Sequence, residues 1–163
     1  METKLTEIKA LAAVVISALG AFLGWKGVLF VVWFAVLILD WLSGSWAARK
    51  AGEWTSEKSR EGRWHKVSEA LVIAVAGIVD VLLTVALTNV PVIDLTYSGW
   101  IFPLVLVWYI ITELGSILEN AIKMGAPVPS WLAKGLKAGL AAIDKAGEQA
   151  IPEKEGKGHD EGG

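Results

Sequence analysis

Two of the acidic side chains in the long apolar stretches of this sequence could take part in chemistry. Asp80 lies in a run from Val67 to Leu87 that contains no Lys or Arg, and Glu113 follows an apolar run that begins at Trp100. A carboxyl group in an apolar medium must be protonated, face water or pair with another polar group, because an isolated charge is very costly there. These residues could therefore exchange a proton, border an aqueous passage or bind a neighbouring helix.

Glu113 also belongs to a set of polar residues that recur every three or four positions. The set is Thr112, Glu113, Ser116, Glu119 and Asn120. Residues at these spacings share one side of a helix, so the segment should have a polar face. In the earlier run, small residues that include Gly77 fall near Asp80, where another helix could approach closely. Three interpretations stay open for both faces: the lining or assembly seam of a membrane passage, ordinary packing inside one bundle, and a transport site.

Composition disfavours several other kinds of site. The chain has no Cys, and its two His residues, His65 and His159, are far apart, so neither a thiolate site nor a paired-histidine metal site is predicted. The formal net charge of -2 would not supply the counterion release that drives binding to nucleic acids. We therefore predict no cofactor, no metal and no nucleic-acid partner.

Long apolar helices must position these side chains. Hydrophobic residues make up 54% of the chain and its mean hydropathy is +0.52, with charged residues gathered in blocks between apolar runs. Four runs approach the length that crosses the ~30 Å hydrocarbon layer at about 1.5 Å per residue. The predicted helices span about 5–24, 27–48, 65–88 and 99–122. The sequence thus predicts an all-α integral membrane bundle over residues 1–126, with four transmembrane helices, or three as the alternative.

The first of these runs allows other interpretations. Lys4 and Lys9 precede an apolar stretch with small residues, which is also typical of a cleaved signal peptide. The apolar character resumes a few residues after Lys26, however, and this favours a helical hairpin. Gly20 and Gly24 form a GxxxG spacing that lets helix backbones approach closely, either in self-association or against the second helix. If the first run lies on the surface or re-enters, three spans remain.

The sequence after residue 126 differs in character. Ser130 could cap a helix whose apolar residues share one side, while Lys residues elsewhere on it could reach lipid head groups. We predict an amphipathic interfacial helix over residues 127–151. Residues 152–163 are rich in Gly and charge, so a disordered tail is predicted there.

Basic residues define an orientation for the bundle. The loop 43–66 holds six Lys and Arg residues, whereas the segment 88–99 holds none. The positive-inside rule therefore places the loop 43–66, and with it the C-terminus, in the cytoplasm. Tryptophan positions agree with this orientation, because Trp gathers at both membrane interfaces. The predicted outer ends carry Trp25 and Trp100, and the inner ends carry Trp41, Trp46, Trp64 and Trp131.

Two motifs in this frame resemble a known family. The first begins at Asp40 and continues with Gly44, Ala47 or Ala48, Lys50, Ser56, Gly62 and Lys66. The second runs from Glu113 to Leu132 and contains Ile-Leu-Glu-Asn-Ala, then a Gly and a Pro-x-Pro turn. In this order, flanking two hydrophobic helices, the motifs are similar to the toxin-secretion and phage-lysis holin family. The resemblance covers most of residues 40–132.

The resemblance implies a function. Members of this family form homo-oligomers in the bacterial cytoplasmic membrane and permeabilise it, releasing endolysin or large toxins. The implied partners are the lipid bilayer, further copies of the chain, and a cytoplasmic endolysin or toxin, and no enzymatic activity is implied. Two alternatives stay open. One is a small four-helix transporter that uses Asp80 and Glu113 for proton exchange, and the other is an antiholin or regulator of a second holin.

Overall fold

Five helices make up the part of the protein that the structure, a computed structural model, describes, namely residues 2–90 and 97–150. They are α1 (Glu2–Leu23), α2 (Trp25–Lys50), α3 (Ser56–Asn89), α4 (Ile101–Lys123) and α5 (Ser130–Ala150). These residues contain no strand, so the predicted all-α fold is confirmed. The tail predicted at 152–163 lies outside the described residues.

Three of the described helices contain segments long and apolar enough to cross a bilayer. These segments are Trp25–Lys50, Gly62–Asn89 and Ile101–Lys123. A helix is suited to hydrocarbon because its backbone N–H and C=O groups are paired within the segment. The predicted membrane bundle is therefore confirmed in its three-span form, and a crossing by α1 stays a prediction.

Two of the helix starts that differ from the sequence prediction have a local explanation. α2 begins at Trp25, two residues early, because Gly24 alone turns the chain with a φ of +60°. That left-handed conformation favours glycine, since a Cβ would be strained there. α3 begins at Ser56 and not at about 65, so the hydrophilic stretch that precedes the apolar run is part of the same helix. Its first turn carries Glu57, and an acid is favourable at the positive end of a helix dipole.

α4 occupies the centre of the bundle. It packs against α2, α3 and α5, whereas α1 packs only against α2 within the described residues. The core is a cluster of buried side chains from α2, α3 and α4, namely Trp33, Val36, Ile73, Leu106 and Ile110. Leu106 is 0% exposed, so side chains fill the interior between these three helices.

The outward side of α3 is strongly apolar. Ile78, Val81 and Leu82 are 65%, 64% and 64% exposed. Soluble monomers rarely leave a contiguous apolar surface of this kind in water, whereas lipid tails are as apolar as these side chains. This surface therefore suits contact with hydrocarbon.

α5 lies antiparallel along α4. A Cβ added at Gly139 would lie 3.5 Å from Cδ1 of Ile111, and one added at Gly147 would lie 3.5 Å from Cδ2 of Leu104. Glycine at both positions lets the two helices approach closely. If α5 lay in the plane of the head groups, it would instead turn away from α4 close to Lys123, where α4 ends. α4 thus covers the apolar side of α5, and an interfacial position for this helix stays a prediction.

Candidate functional site

One lysine pairs with two of the acidic residues singled out in the sequence. Nζ of Lys66 lies 2.8 Å from Oδ2 of Asp40 on α2, and it donates a hydrogen bond to Oε2 of Glu113 on α4. Glu69, one turn further along α3, places its Oε1 3.5 Å from the same ammonium group. We name these four residues the Lys66 cluster. Because its members come from α2, α3 and α4, the cluster ties the three candidate membrane spans together.

The charges in the Lys66 cluster do not balance. One ammonium group faces the carboxyl groups of Asp40, Glu69 and Glu113, whose side chains are 12%, 3% and 4% exposed. Neither carboxyl oxygen of Glu69 has a hydrogen-bond partner among the described residues, although Nε2 of His65 lies 3.3 Å from Oε1. Carboxylates that share one cation repel one another. The cluster therefore contains more acid than its own lysine neutralises.

Asn120 extends the Lys66 cluster along α4. Its Nδ2 donates a 3.0 Å hydrogen bond to Oγ of Ser43 and lies 3.4 Å from Oδ1 of Asp40. A Cβ added at Gly44 would lie 3.4 Å from this buried amide nitrogen, so the small residue leaves room for it. The structure thus brings together five predicted residues from two separate motifs: Asp40, Gly44, Lys66, Glu113 and Asn120.

Asp80 is buried at the other end of the core. Its Oδ1 accepts hydrogen bonds from the Tyr97 hydroxyl and, at 3.0 Å, from the backbone N–H of Ile101. Its Oδ2 has no hydrogen-bond partner in the described part of the chain and lies 3.6 Å from Nζ of Lys26. That ammonium group also donates to the carbonyl of Gly99. We name Lys26, Asp80 and Tyr97 the Asp80 cluster, and its contacts lie within one copy of the protein.

The residues just before and at the start of α4 contact the Asp80 cluster closely. Ile101 is the first residue of α4, so its N–H has no partner within the helix and the Asp80 carboxyl supplies one. Gly99 has a φ of +66°, and a Cβ added there would lie only 2.6 Å from Nζ of Lys26. Burial, reinforced by the hydrogen bond to Asp80, raises the pKa of Tyr97 to about 12. The Tyr97 hydroxyl therefore stays protonated and remains a donor.

The two clusters lie about 20 Å apart along the bundle. Lys66 and Asp80 are 14 residues apart on α3, which corresponds to about 21 Å. Ile101 and Glu113 are 12 residues apart on α4, which corresponds to about 18 Å. The hydrocarbon layer is about 30 Å thick, so a layer centred on the core includes both clusters near its edges. Pairing between helices satisfies charges at a depth where water is scarce.

Ser116 and Glu119 meet a different neighbour of α4, namely α5. They border a groove between α4 and α5 together with Lys137. Glu113 and Asn120 instead face α2 and α3, where both are buried. On an ideal helix the five polar residues fall within about a third of the circumference, as the sequence predicts, but this one side meets two neighbours, α2 with α3 along one edge and α5 along the other.

The three predicted packing glycines have different surroundings. A Cβ added at Gly77 would lie 3.4 Å from Cδ2 of Phe102, so α3 and α4 approach closely there. Gly24 forms the turn before α2, and a Cβ added to it would meet nothing within 4 Å. Gly20 lies in α1, and its surroundings fall outside what the structure describes.

Sequence reasoning does not single out three members of the clusters. Glu69 carries a readable signal, because it stands one turn from Lys66 inside an apolar run. Lys26 marks only a short break between two apolar runs in the sequence, but its side chain is just 28% exposed and reaches across to Asp80. Tyr97 has no such signal, because its contact depends on the path of the segment before α4. The described residues contain no group of three or more His, Cys, Asp or Glu that could hold a metal ion.

Comparison with known proteins identifies the family. A model of the bacteriophage holin family matches residues 17–139, which is well over half of the sequence. The match includes all of α2, α3 and α4, and with them both polar clusters. No curated protein and no solved structure matches the chain. The resemblance carried by the two motifs is confirmed, and the chain belongs to the bacteriophage holin family.

Proposed function

We propose that this protein is a holin that oligomerises in the cytoplasmic membrane of a bacterial host and forms lesions that release an endolysin or a protein toxin. The observation that carries the proposal is the match to the bacteriophage holin family across the whole of the α2–α4 bundle. Three candidate membrane spans and the apolar outward side of α3 support a site of action in the bilayer. No enzymatic activity is part of the proposal.

The packing inside one copy supports a lesion built from many copies. Trp33, Ile73 and Leu106 fill the space between α2, α3 and α4, so the described interior leaves no room for a folded enzyme. The charges of the Lys66 and Asp80 clusters are directed into contacts within the copy. A protein could cross only where several copies surround an opening.

The excess of acid in the Lys66 cluster favours a second candidate, a small proton-coupled transporter. Three carboxyl groups beside one ammonium group could take up and release a proton. The two carboxyl groups predicted for that function are separated, because Asp80 binds the N–H of Ile101, which lies about 18 Å along α4 from Glu113. An antiholin would share these structural features, but it would differ from a holin in its effect on lysis.

Expression of this protein should have a threshold effect on its host. Growth should stay nearly normal until the membrane reaches a critical density of the protein, because a lesion needs many copies. The membrane potential should then collapse abruptly, and a co-expressed cytoplasmic endolysin should escape at the same time. A potential-sensitive dye, endolysin activity outside the cells, and the amount of inserted protein measure the three quantities.

The rival functions give different results in that experiment. A transporter would change ion tolerance gradually with expression and leave the endolysin inside the cell. An antiholin would cause no collapse alone and would delay lysis by a second holin. Cells that express the endolysin alone are the control, and a gradual response from fully inserted protein would overturn the proposal.

The proposed orientation places the loop 43–66 in the cytoplasm and the segment 88–99 outside. Single Cys residues at Ser59 and Thr96 can test it, because the chain has no native Cys. An impermeant maleimide added to intact cells before lysis should label Thr96→Cys, whereas Ser59→Cys should react only after permeabilisation. The opposite pattern would reverse the orientation. Thr3→Cys should stay protected if α1 crosses and react if only three helices cross.

A further inference from the structure

α5 carries a charged stripe on a side that lies mostly away from α4, although one member, Asp144, accepts a hydrogen bond from Nε1 of Trp108 on α4. The stripe consists of five exposed residues: Lys134, Lys137, Asp144, Lys145 and Glu148. On an ideal helix these residues fall within about a third of the circumference. The apolar side of α5, which includes Leu136, Leu140 and Ile143, is half-buried and borders the grooves along α4. α5 therefore presents most of its charges away from its apolar contact with α4.

α5 is long enough to cross a membrane and lies at the same depth as α4. Its 21 residues correspond to about 31 Å. Near its C-terminal end, Gly147 contacts Leu104, and Nε1 of Trp108 donates a 2.7 Å hydrogen bond to Oδ1 of Asp144. Leu104 lies only three residues after the start of α4. If α4 spans the bilayer, docked α5 crosses beside it.

This depth makes the charged stripe significant. Lys137 and Asp144 lie on either side of the middle of α5, about 10 Å apart along its axis. Charged side chains at the centre of a bilayer are costly, and in known proteins they face a bundle interior or a water-filled cavity. The structure shows α4 covering the other side of α5. Trp108 satisfies Asp144 in part, and the rest of the stripe must therefore meet water when α5 is docked in a membrane.

The adjoining side of α4 is polar as well. Thr112, Ser116 and Glu119 border the same groove as Lys137, and Thr112 and Glu119 are exposed. α3, with its apolar outward side, packs elsewhere on α4 and does not contact α5 in the described part of the chain. One copy thus has a polar surface on the α4–α5 pair and an apolar surface on α3, as a subunit between water and lipid requires.

We propose that docked α5 crosses the membrane beside α4, and that its charged stripe and the polar side of α4 line the water of the lesion. The inference rests on the proposed holin function and names the surface that performs it. It also places the C-terminal end of α5 on the same side of the membrane as the segment before α4. This reverses the cytoplasmic C-terminus predicted from the sequence.

Cross-linking between paired Cys residues tests the depth of α5. In membranes from expressing cells, a short bis-maleimide should link the pair Leu104→Cys and Gly147→Cys, and also the pair Ile111→Cys and Gly139→Cys. The mismatched pairs of Leu104 with Gly139 and of Ile111 with Gly147 use the same substitutions and should not link. Their members are displaced by about 10 Å along the helices. An interfacial α5 would leave all four pairs unlinked.

Water accessibility tests the direction of the stripe. Ala141 lies within the stripe and Ala146 lies on another side of α5, and both are exposed. After the membrane potential collapses, a charged thiol reagent should modify Ala141→Cys about tenfold faster than Ala146→Cys, because the reactive thiolate forms in water and not in lipid. Equal rates would overturn the proposed lining, even if the matched pairs link.

Failure of this inference can be distinguished from failure of the holin proposal. Each Cys variant is first scored for the time at which the potential collapses. Unlinked matched pairs in variants that lyse on the wild-type schedule would remove α5 from the lesion wall and leave the holin function intact. Absence of an abrupt collapse in the wild-type protein would instead count against the holin function. If the matched pairs link but the wild-type protein causes no abrupt collapse, α5 crosses the membrane but lines no lesion.

Discussion

Replacing Lys66 with Met should prevent lysis at an expression level at which the wild-type protein lyses its host. The substitution leaves the three nearly buried carboxyl groups of the Lys66 cluster without their shared ammonium group. Removing one partner of a buried ion pair typically costs about 3–5 kcal/mol, because the remaining charge is uncompensated. We expect a lower unfolding temperature for the purified protein in detergent and a delayed or absent collapse of the membrane potential.

A matched substitution separates this effect from a general loss of positive charge. Lys123→Met makes the same chemical change at an exposed position near the end of α4 and should leave both measurements close to the wild-type values. Adding Glu113→Gln to Lys66→Met removes one of the uncompensated acids and should recover part of the stability. Equal unfolding temperatures for Lys66→Met and Lys123→Met would mean that the cluster does not hold α2, α3 and α4 together.

Asp80→Leu should delay lysis strongly, whereas Asp80→Asn should shift it only modestly. Leu cannot accept hydrogen bonds and carries no charge, so it leaves the Tyr97 hydroxyl and the N–H of Ile101 without their acceptor and the Lys26 ammonium group without its counter-charge. Each buried polar group left unpaired costs about 1–3 kcal/mol, and more if it is charged. Asn keeps an acceptor of similar size. Lysis timing and unfolding in detergent, measured at equal levels of inserted protein, compare the two variants.

A double substitution examines the physical cause of the Asp80 effect. Replacing both partners of a polar contact with apolar groups costs less than replacing one, because no charge stays buried alone. Lys26→Met combined with Asp80→Leu should therefore be more stable than Asp80→Leu alone. If Asp80→Leu inserts normally and lyses cells on the wild-type schedule, the polar contacts of Asp80 have no part in assembly and apolar packing is sufficient.

Several particular features were predictable because they depend on local pattern. The runs that became α2, the apolar part of α3, and α4 are visible in the sequence because a membrane span needs about 20 apolar residues in succession. The motifs that begin at Asp40 and Glu113 likewise identified the family that the match over residues 17–139 confirms. The start of α3 at Ser56 was missed, because hydropathy does not mark where a helix extends beyond the apolar layer.

The partners of the polar residues were not predictable in the same way. Asp80 was recognisable as a residue that needs a partner, but Lys26 and Tyr97 reach it from distant parts of the sequence. The polar residues of α4 share one side of the helix, but Glu113 meets Lys66 whereas Ser116 borders α5. Spacing along one helix places residues around its circumference, but it does not say which neighbour lies on each side.

The sequence by itself determined the class of this protein, its three most apolar helices and its family, because hydropathy and short motifs are properties of contiguous residues. The tertiary structure alone decided that two lysines neutralise acids on other helices at the two ends of one core, and that α5 lies along α4. Those outcomes depend on how helices are arranged around one another. That arrangement is fixed by side chains that meet from separate helices, at distances that no local pattern encodes.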